Sequence, residues 1–312
     1  MSPASHGNRH DPAAPIAYRS ATVLLPGLLR LTQENRSMFS GAGTNTYLIG
    51  ESEVLVLDPG ERRDDGHLER IVEAVSGRPV LGVLPSHGHP DHWPLAEPLA
   101  RRLGAPLLFQ NDEAPFHVDR VVSDGDVLRG EELELVVLHT PGHAPDHLCL
   151  HWPGRSALFS GDHVMGWSTS IIAPPGGHLP RYLESLRRLQ GLELEHVFPA
   201  HGEAILTPRT RMEELYAHRE QRTRQALAAL ADGEATIAEL VERIYTDTPR
   251  QLHPAAQRSL WAHLLALEEE GRIERRPAPA VGEESREFDG EGGGAGFEDA
   301  ARAVWRLIAP AG

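Results

Sequence analysis

At 312 residues the chain exceeds one average domain, so two domains, or one large domain with an appendage, are expected. Its 40% hydrophobic content suits a buried core, but no apolar run nears the roughly 18 residues that cross a bilayer, so no membrane partner is expected. A net charge of −15, with arginine as the basic residue throughout, repels polyanions at long range, and the single cysteine, Cys149, excludes an intramolecular disulfide.

The opening MSPASHGNRHDPAAPIAY lacks a positive segment followed by an apolar run, so no secretory signal is read and the cytoplasm is the expected compartment. Residues 1–20 read as a polar, proline-rich, disordered arm. From residue 21 short apolar runs end in glycine or proline: TVLLPGLLRL, TNTYLIG, EVLVLDPG, VLGVLPS, LELVVLHT, HLCLHW and SALFSGD each predict a strand closed by a turn. Between them GHLERIVEAVSG, PLAEPLARRLG and LPRYLESLRRLQG repeat apolar residues at helical steps, as in Leu68, Ile71, Val72 and Val75. Strands alternating with helices imply a layered α/β domain over 21–206. Cys149, within LCLHW, reads as a small buried thiol.

The texture changes near 207. Thr207 and Pro208 can cap and start a long helix reaching about Ala231, with Gly233 beyond it. Thr236 and Glu239 form a capping box for a second helix, and a third spans roughly 254–270, closed by Gly271. RIERR follows as a strand. Residues 277–296, rich in glycine, proline and glutamate, read as a flexible excursion. The last segment, FEDAARAVWRLIA, keeps helical spacing, yet VWRLI would serve as the second strand of a wing, and the strand is preferred. Residues 207–312 therefore predict a small winged-helix-like domain.

Histidine carries the chemistry. Four of the eighteen histidines lie in 139–151, and SHGHPDH places His87, His89, Asp91 and His92 on one loop after the strand VLGVLP. Imidazole and carboxylate are zinc ligands, and a strand end can hold several of them in fixed positions while one coordination place stays open. TPGHAPDH adds His143, FSGDH adds Asp162 and FPAHGE adds His201, each after a β-like run and bounded by glycine or proline. Seven ligand-type residues on four such loops can converge on one sheet edge.

In this order of motifs the chain resembles the metallo-β-lactamase fold superfamily over about residues 20–205. The resemblance implies an αββα four-layer sandwich with two divalent metal ions, expected to be zinc. His87, His89 and His143 would hold the first ion, and Asp91, His92 and His201 the second, with Asp162 bridging them. Asp58 in VLVLDPG matches the family's first-motif aspartate, which supports the ligand loop. Class B β-lactamases commonly have cysteine where this chain has Asp162, and the diiron flavoproteins have glutamate where it has His89. The set here is that of the two-metal hydrolases. GTNTYLIG, GDHVMGWSTSI and YTDTP…LWAHLLALEEEGRI narrow the resemblance to the β-lactamase-like protein 2 family, which joins this domain to a C-terminal winged helix. QENRSMFSGAG stands where relatives carry an Asn-Pro-rich loop.

That resemblance implies a metal-dependent hydrolase using a metal-bound hydroxide as nucleophile. Asp91 would orient the nucleophile or take its proton, so Asp91 and Asp58 are the catalytic candidates. His163 and His147 would be proton donors or supporting groups. Asn45, Trp167, Ser168 and His163 would face the substrate. Two hydrolytic readings follow: phosphodiester cleavage, as by an endoribonuclease on single-stranded RNA, and hydrolysis of a thioester or other small acyl substrate in the manner of glyoxalase II. A winged-helix regulator of duplex DNA is the third, and the acidic end of the third helix, Glu268–Glu270, opposes it. Packing or homodimer formation suits the small domain better.

Overall fold

The computed structural model describes residues 11–63, 66–277 and 295–308, and its N-terminal apolar runs form two five-stranded sheets. The first sheet orders β1 (Thr22–Leu25), β2 (Leu28–Thr32), β3 (Asn45–Ile49), β4 (Val54–Leu57) and β5 (Val80–Leu84) side by side. Its pairs are antiparallel except β4–β5, which is parallel because the helix α1 (His67–Val75) carries the chain back before β5. Beyond the helix α2 (Ala96–Leu103), β6 (Leu108–Phe109) and β7 (Arg120–Val121) make a separate short parallel pair. The second sheet comprises β8 (Val127–Arg129), β9 (Glu134–His139), β10 (Leu148–Trp152), β11 (Ala157–Gly161) and β12 (His196–Pro199), ordered β12-β11-β10-β9-β8. Here β11–β12 is the parallel pair, joined through the helix α3 (Leu179–Gln190).

Strand alternation sorts the side chains into layers. Leu28, Tyr47, Ile49, Leu55, Leu57 and Leu84 of the first sheet meet Leu135, Val137, Leu148, Leu150, Phe159 and Phe198 of the second in one buried core. The opposite face of the first sheet gives Leu48, Val54, Val56 and Val83 to a second core against Ile71 and Val75 of α1 and Ala96 and Leu99 of α2. Each valine, leucine, isoleucine or phenylalanine among them contributes about 1.5–3 kcal/mol by leaving water. On the far side the end of α3 ties to the second sheet's loops: Ser185 donates to the Pro141 carbonyl at 2.9 Å and Arg188 pairs with Asp124 at 2.6 Å. Sheets flanked by helices are the four-layer arrangement that the sequence implied.

Residues 11–20 depart from the disordered arm expected there. The buried Arg30 guanidinium donates from Nη2 to the Ala14 and Pro15 carbonyls at 2.9 and 2.7 Å, and the Tyr18 hydroxyl donates to Ala42 at 2.6 Å. A strand arginine inside the sandwich must have its donors met, and the arm's carbonyls meet two of them. Residues 1–10 lie outside the described residues.

The chain divides into two compact units, Met1–Ser170 with Ser185–Met212, and Ile171–Glu184 with Glu213–Gly312. The boundary expected after residue 206 instead falls inside one unbroken helix, α4 (Pro208–Ala231). In the second unit the capping box closes as read: the Glu239 amide donates to the Thr236 hydroxyl at 3.3 Å, and the Thr236 amide to the Glu239 carboxylate at 2.7 Å. It opens α5 (Ile237–Ile244), followed by α6 (His253–Glu269) and β13 (Ile273–Arg276). The FEDAARAVWRLIA segment is both helix and strand: α7 (Ala295–Arg302) turns into β14 (Val304–Leu307), antiparallel to β13. Helical spacing buries Ala300 and sets Phe297 on Trp261, while Trp305 joins the core formed by Ile237, Leu240, Leu260 and Leu264. This is a winged helix. Residues 278–294 of the Gly-rich excursion lie outside the described residues, and no helix among those described is long and apolar enough to cross a membrane.

One buried base in this unit sets a pH dependence. His263 on α6 is 1% exposed and meets the Thr223 hydroxyl at 2.8 Å. Burial and the nearby Arg219, His218 and Arg222 push its pKa down to about 3. The unfolded chain takes up this proton near pH 6.5, whereas the folded chain does not, so stability falls as pH drops below 6.5. Between pH 7 and 5 the loss is about 2 kcal/mol. Urea unfolding of His263→Leu should show a pH dependence flatter by about that amount, whatever its stability at pH 7. Identical slopes for the two proteins would refute the assignment.

Candidate metal centre

Strand direction gathers the histidine loops. β9 and β11 both run antiparallel to β10, and β12 runs parallel to β11, so β9, β11 and β12 all end at the same edge. The loops after them carry His143, Asp162 and His201. β4 and β5 likewise run together, so Asp58 and the His87–His92 loop lie at one end of the first sheet. The two edges meet: the Leu148 amide donates to the Ser86 carbonyl, and the Asn45 amide to the Ala200 carbonyl, at 2.8 and 2.7 Å.

Two donor groups result. His87, His89, His143 and Asp162 form one, and Asp91, His92 and His201 the other, each with its ligand atoms within 4.8 Å of one another. In the first, His89 Nδ1 lies 2.8 Å from His87 Nε2 and 2.9 Å from His143 Nε2. In the second, His201 Nε2 lies 3.3 Å from Asp91 Oδ2, and His92 Nε2 lies 3.5 Å from Asp91 Oδ1. Asp162 presents one oxygen to each: Oδ2 is 3.5 Å from His143 Nε2, and Oδ1 is 3.2 Å from His201 Nε2.

The remaining ring nitrogens are anchored from behind, which fixes each ring's orientation. Ser86 Oγ lies 3.0 Å from His87 Nδ1, and Gly43 O lies 3.2 Å from His201 Nδ1. Asp58 Oδ1 lies 3.3 Å from His92 Nδ1 and accepts the Ser86 amide at 2.7 Å. Asp58 is buried and holds a left-handed φ of 50°. These two contacts place it behind the His92 ring and the start of the histidine loop.

Charge balance shows that the residues fit a divalent cation. Burial would raise the Asp162 carboxyl, but the His201 and His92 rings overcome it and hold it well below the usual carboxylate range. Burial would lower His201, yet Asp162 and Asp91 raise it to about 10, and the same acids with Asp58 lift His92 well above its ordinary value. This half of the centre demands positive charge. In the first half burial and neighbouring rings lower His87 and bring His89 down to about 4, leaving the neutral imidazoles that metal ligation requires. His92 Nε2, His201 Nε2 and Asp162 Oδ1 are also buried without a hydrogen-bond partner among the described residues. Such atoms cost about 1–3 kcal/mol each unless something coordinates them.

The residues expected to face substrate divide. Trp167 is 48% exposed and lies across Gly41 and Gly202, where an added Cβ would sit 2.7 Å from its ring. Ser168 is half-buried and turns its hydroxyl to the Thr169 carbonyl. Asn45 is fully buried: its amide nitrogen donates to the Pro199 and Gly202 carbonyls at 3.0 and 2.8 Å, so it holds the His201 loop. His163 is fully buried, its carbonyl accepting from Ser170. His147 contacts a ligand loop: its Nε2 accepts the Asp162 amide at 3.1 Å and its Nδ1 lies 2.9 Å from Thr140 Oγ1. Gly161 permits that approach, since a Cβ there would lie 2.6 Å from His147 Nε2. Sequence reasoning missed Ser86 and Thr140; the hydroxyl directly before the histidine motif was the available signal for Ser86.

Residues 40–201 match the family model described as the metallo-beta-lactamase superfamily, and residues 236–279 match the beta-lactamase associated winged helix domain. A lactamase-like protein of Pestalotiopsis fici is 31% identical across 74% of this chain and 76% of its own length. An atrochrysone carboxyl ACP thioesterase of Aspergillus novofumigatus is 30% identical across 71% and 72%. The beta-lactamase-like protein 2 homolog of Drosophila melanogaster is 28% identical across 80% and 93%. Among solved structures, a metallo-beta-lactamase family protein from Thermus thermophilus superposes with a TM-score of 0.70 at 25% identity, covering 91% of this chain and all of that one.

Proposed function

We propose that this chain, which belongs to the metallo-beta-lactamase superfamily, hydrolyses an acyl thioester with two zinc ions. The observation that carries the substrate class is the 30% identity, over more than two thirds of both chains, to a protein named as an acyl carrier protein thioesterase. The acidic chain supports it, because a net charge of −15 disfavours a polyanionic substrate. So does the exposed Trp167 beside the His201 loop, an apolar wall suited to an acyl group.

His87 Nε2, His89 Nδ1 and His143 Nε2 would hold one ion, and Asp91, His92 Nε2 and His201 Nε2 the other, with an oxygen of Asp162 toward each. Two such ions would activate a water at neutral pH and polarise the carbonyl under attack. The protein's own contribution is position and charge. Asp58 and Ser86 fix the His92 and His87 rings, Asn45 fixes the His201 loop, and His147 fixes the Asp162 backbone. Asp91 is the most exposed of the three acids around the centre, at 26% of its side chain, so its carboxylate can orient the attacking water. The competing substrate is single-stranded RNA, from the sequence resemblance to a family with endoribonuclease members.

The test supplies zinc-loaded protein with an acyl thioester, following the free thiol, and in parallel with a labelled single-stranded RNA. Thiol release with the RNA intact is expected. Cleaved RNA beside untouched thioesters would reverse the assignment.

A further inference from the structure

The first ligand group draws on both sheets. His87 and His89 come from the loop after β5, and His143 from the loop between β9 and β10. The 2.9 Å approach of His143 Nε2 to His89 Nδ1 therefore depends on how the two loops are held together. One contact is the backbone bond from Leu148 to Ser86. Another is a side chain: Asp146 Oδ2 accepts the Gly88 amide at 3.0 Å. Gly88 is the residue between the two ligands His87 and His89. The carboxylate lies so close that a Cβ on Gly88 would stand 2.8 Å from it, so glycine is needed at that position for the contact to form.

We propose that Asp146 is a positioning residue that sets the separation between the His87–His89 loop and His143, and thereby the metal affinity of the first ligand group. The proposal rests on reading these loops as a metal centre and is independent of the substrate. Asp146 is partly buried, with the His143 and His139 rings as its titratable neighbours. It sits in TPGHAPDH directly before His147, which holds the Asp162 amide. Two successive residues thus brace the centre at two points, one at the first ligand loop and one at the bridging acid. Removing a group that orients a ligand typically lowers metal affinity 10- to 100-fold.

The experiment measures zinc affinity by competition with a chromophoric chelator, and records the visible spectrum of the cobalt-loaded protein, which reports ligand geometry. Asp146→Ala should weaken binding of the first ion by about 10- to 100-fold and alter the cobalt spectrum. Asp146→Asn keeps an acceptor oxygen and should restore affinity to within about threefold. Gly88→Ala should also weaken binding, and by less when Asp146 is already alanine, because the clash is then relieved. That non-additivity separates a positional role from general loosening, and the Asn and Gly88 variants serve if the Ala variant does not fold. Wild-type affinity and spectrum in Asp146→Ala overturn the proposal while leaving the metal centre standing. Asp146→Asn as weak as Asp146→Ala overturns the hydrogen-bond account, and failure of the wild type to bind any metal removes both readings.

Discussion

The His87→Ala/His89→Ala variant should lose the first metal ion and at least about a thousandfold in hydrolysis, since metal catalysis supplies several kcal/mol of transition-state stabilisation. The two rings supply two of the four donors in the first group, leaving only His143 and one Asp162 oxygen, too few for a stable site. The fold should survive. His87 and His89 lie beyond the end of β5, whose core contacts run through Val83 and Leu84. Burial and ring–ring repulsion already press both histidines toward the neutral form, so their removal deletes no ion pair. Metal analysis after dialysis, circular dichroism and thioester turnover together check the prediction. A variant that is folded, lacks the first ion and yet turns over at the wild-type rate would remove the metal mechanism.

How much of this was legible before the structure depended on whether a residue's role was local. The seven candidate ligand residues could be read because each follows a strand end marked by glycine or proline, and strand direction then brings the ends together. The winged helix was legible through its caps, Thr236 with Glu239 above all. The surroundings of Asn45 were not legible because its partners are distant in sequence: it bonds to residues 199 and 202, a separation no local pattern reports. The same holds for the arm, whose carbonyls are tied down by Arg30, a residue that looks out of place in an apolar strand until its partners are known. The final segment was ambiguous because it contains both answers, α7 and then β14, in thirteen residues, too short for either period to dominate.

Asp162→Ala should release both ions, whereas His201→Ala should release only the second. Asp162 is the side chain that faces both groups, Oδ2 toward His143 and Oδ1 toward His201 and His92. Its loss leaves three nitrogen donors on one side, and Asp91, His92 and His201 on the other without the negative charge between them. That charge is what holds the two halves together electrostatically: His201 and the Asp162 carboxylate shift each other's protonation in opposite directions, as paired opposite charges must. His201→Ala touches one half only, and the Gly43 carbonyl behind it can turn to water. The loop carrying residue 162 should keep its shape in the Ala variant, because its amide is bound by His147 and its carbonyl by Ser170 at 2.6 Å, both through backbone atoms. Metal content of the two purified variants, measured by mass spectrometry after identical loading, should therefore differ: near one ion for His201→Ala, and well below one for Asp162→Ala. Equal retention of one ion in both would show that Asp162 serves a single site, and the bridging role would then pass from the carboxylate to the solvent between the ions.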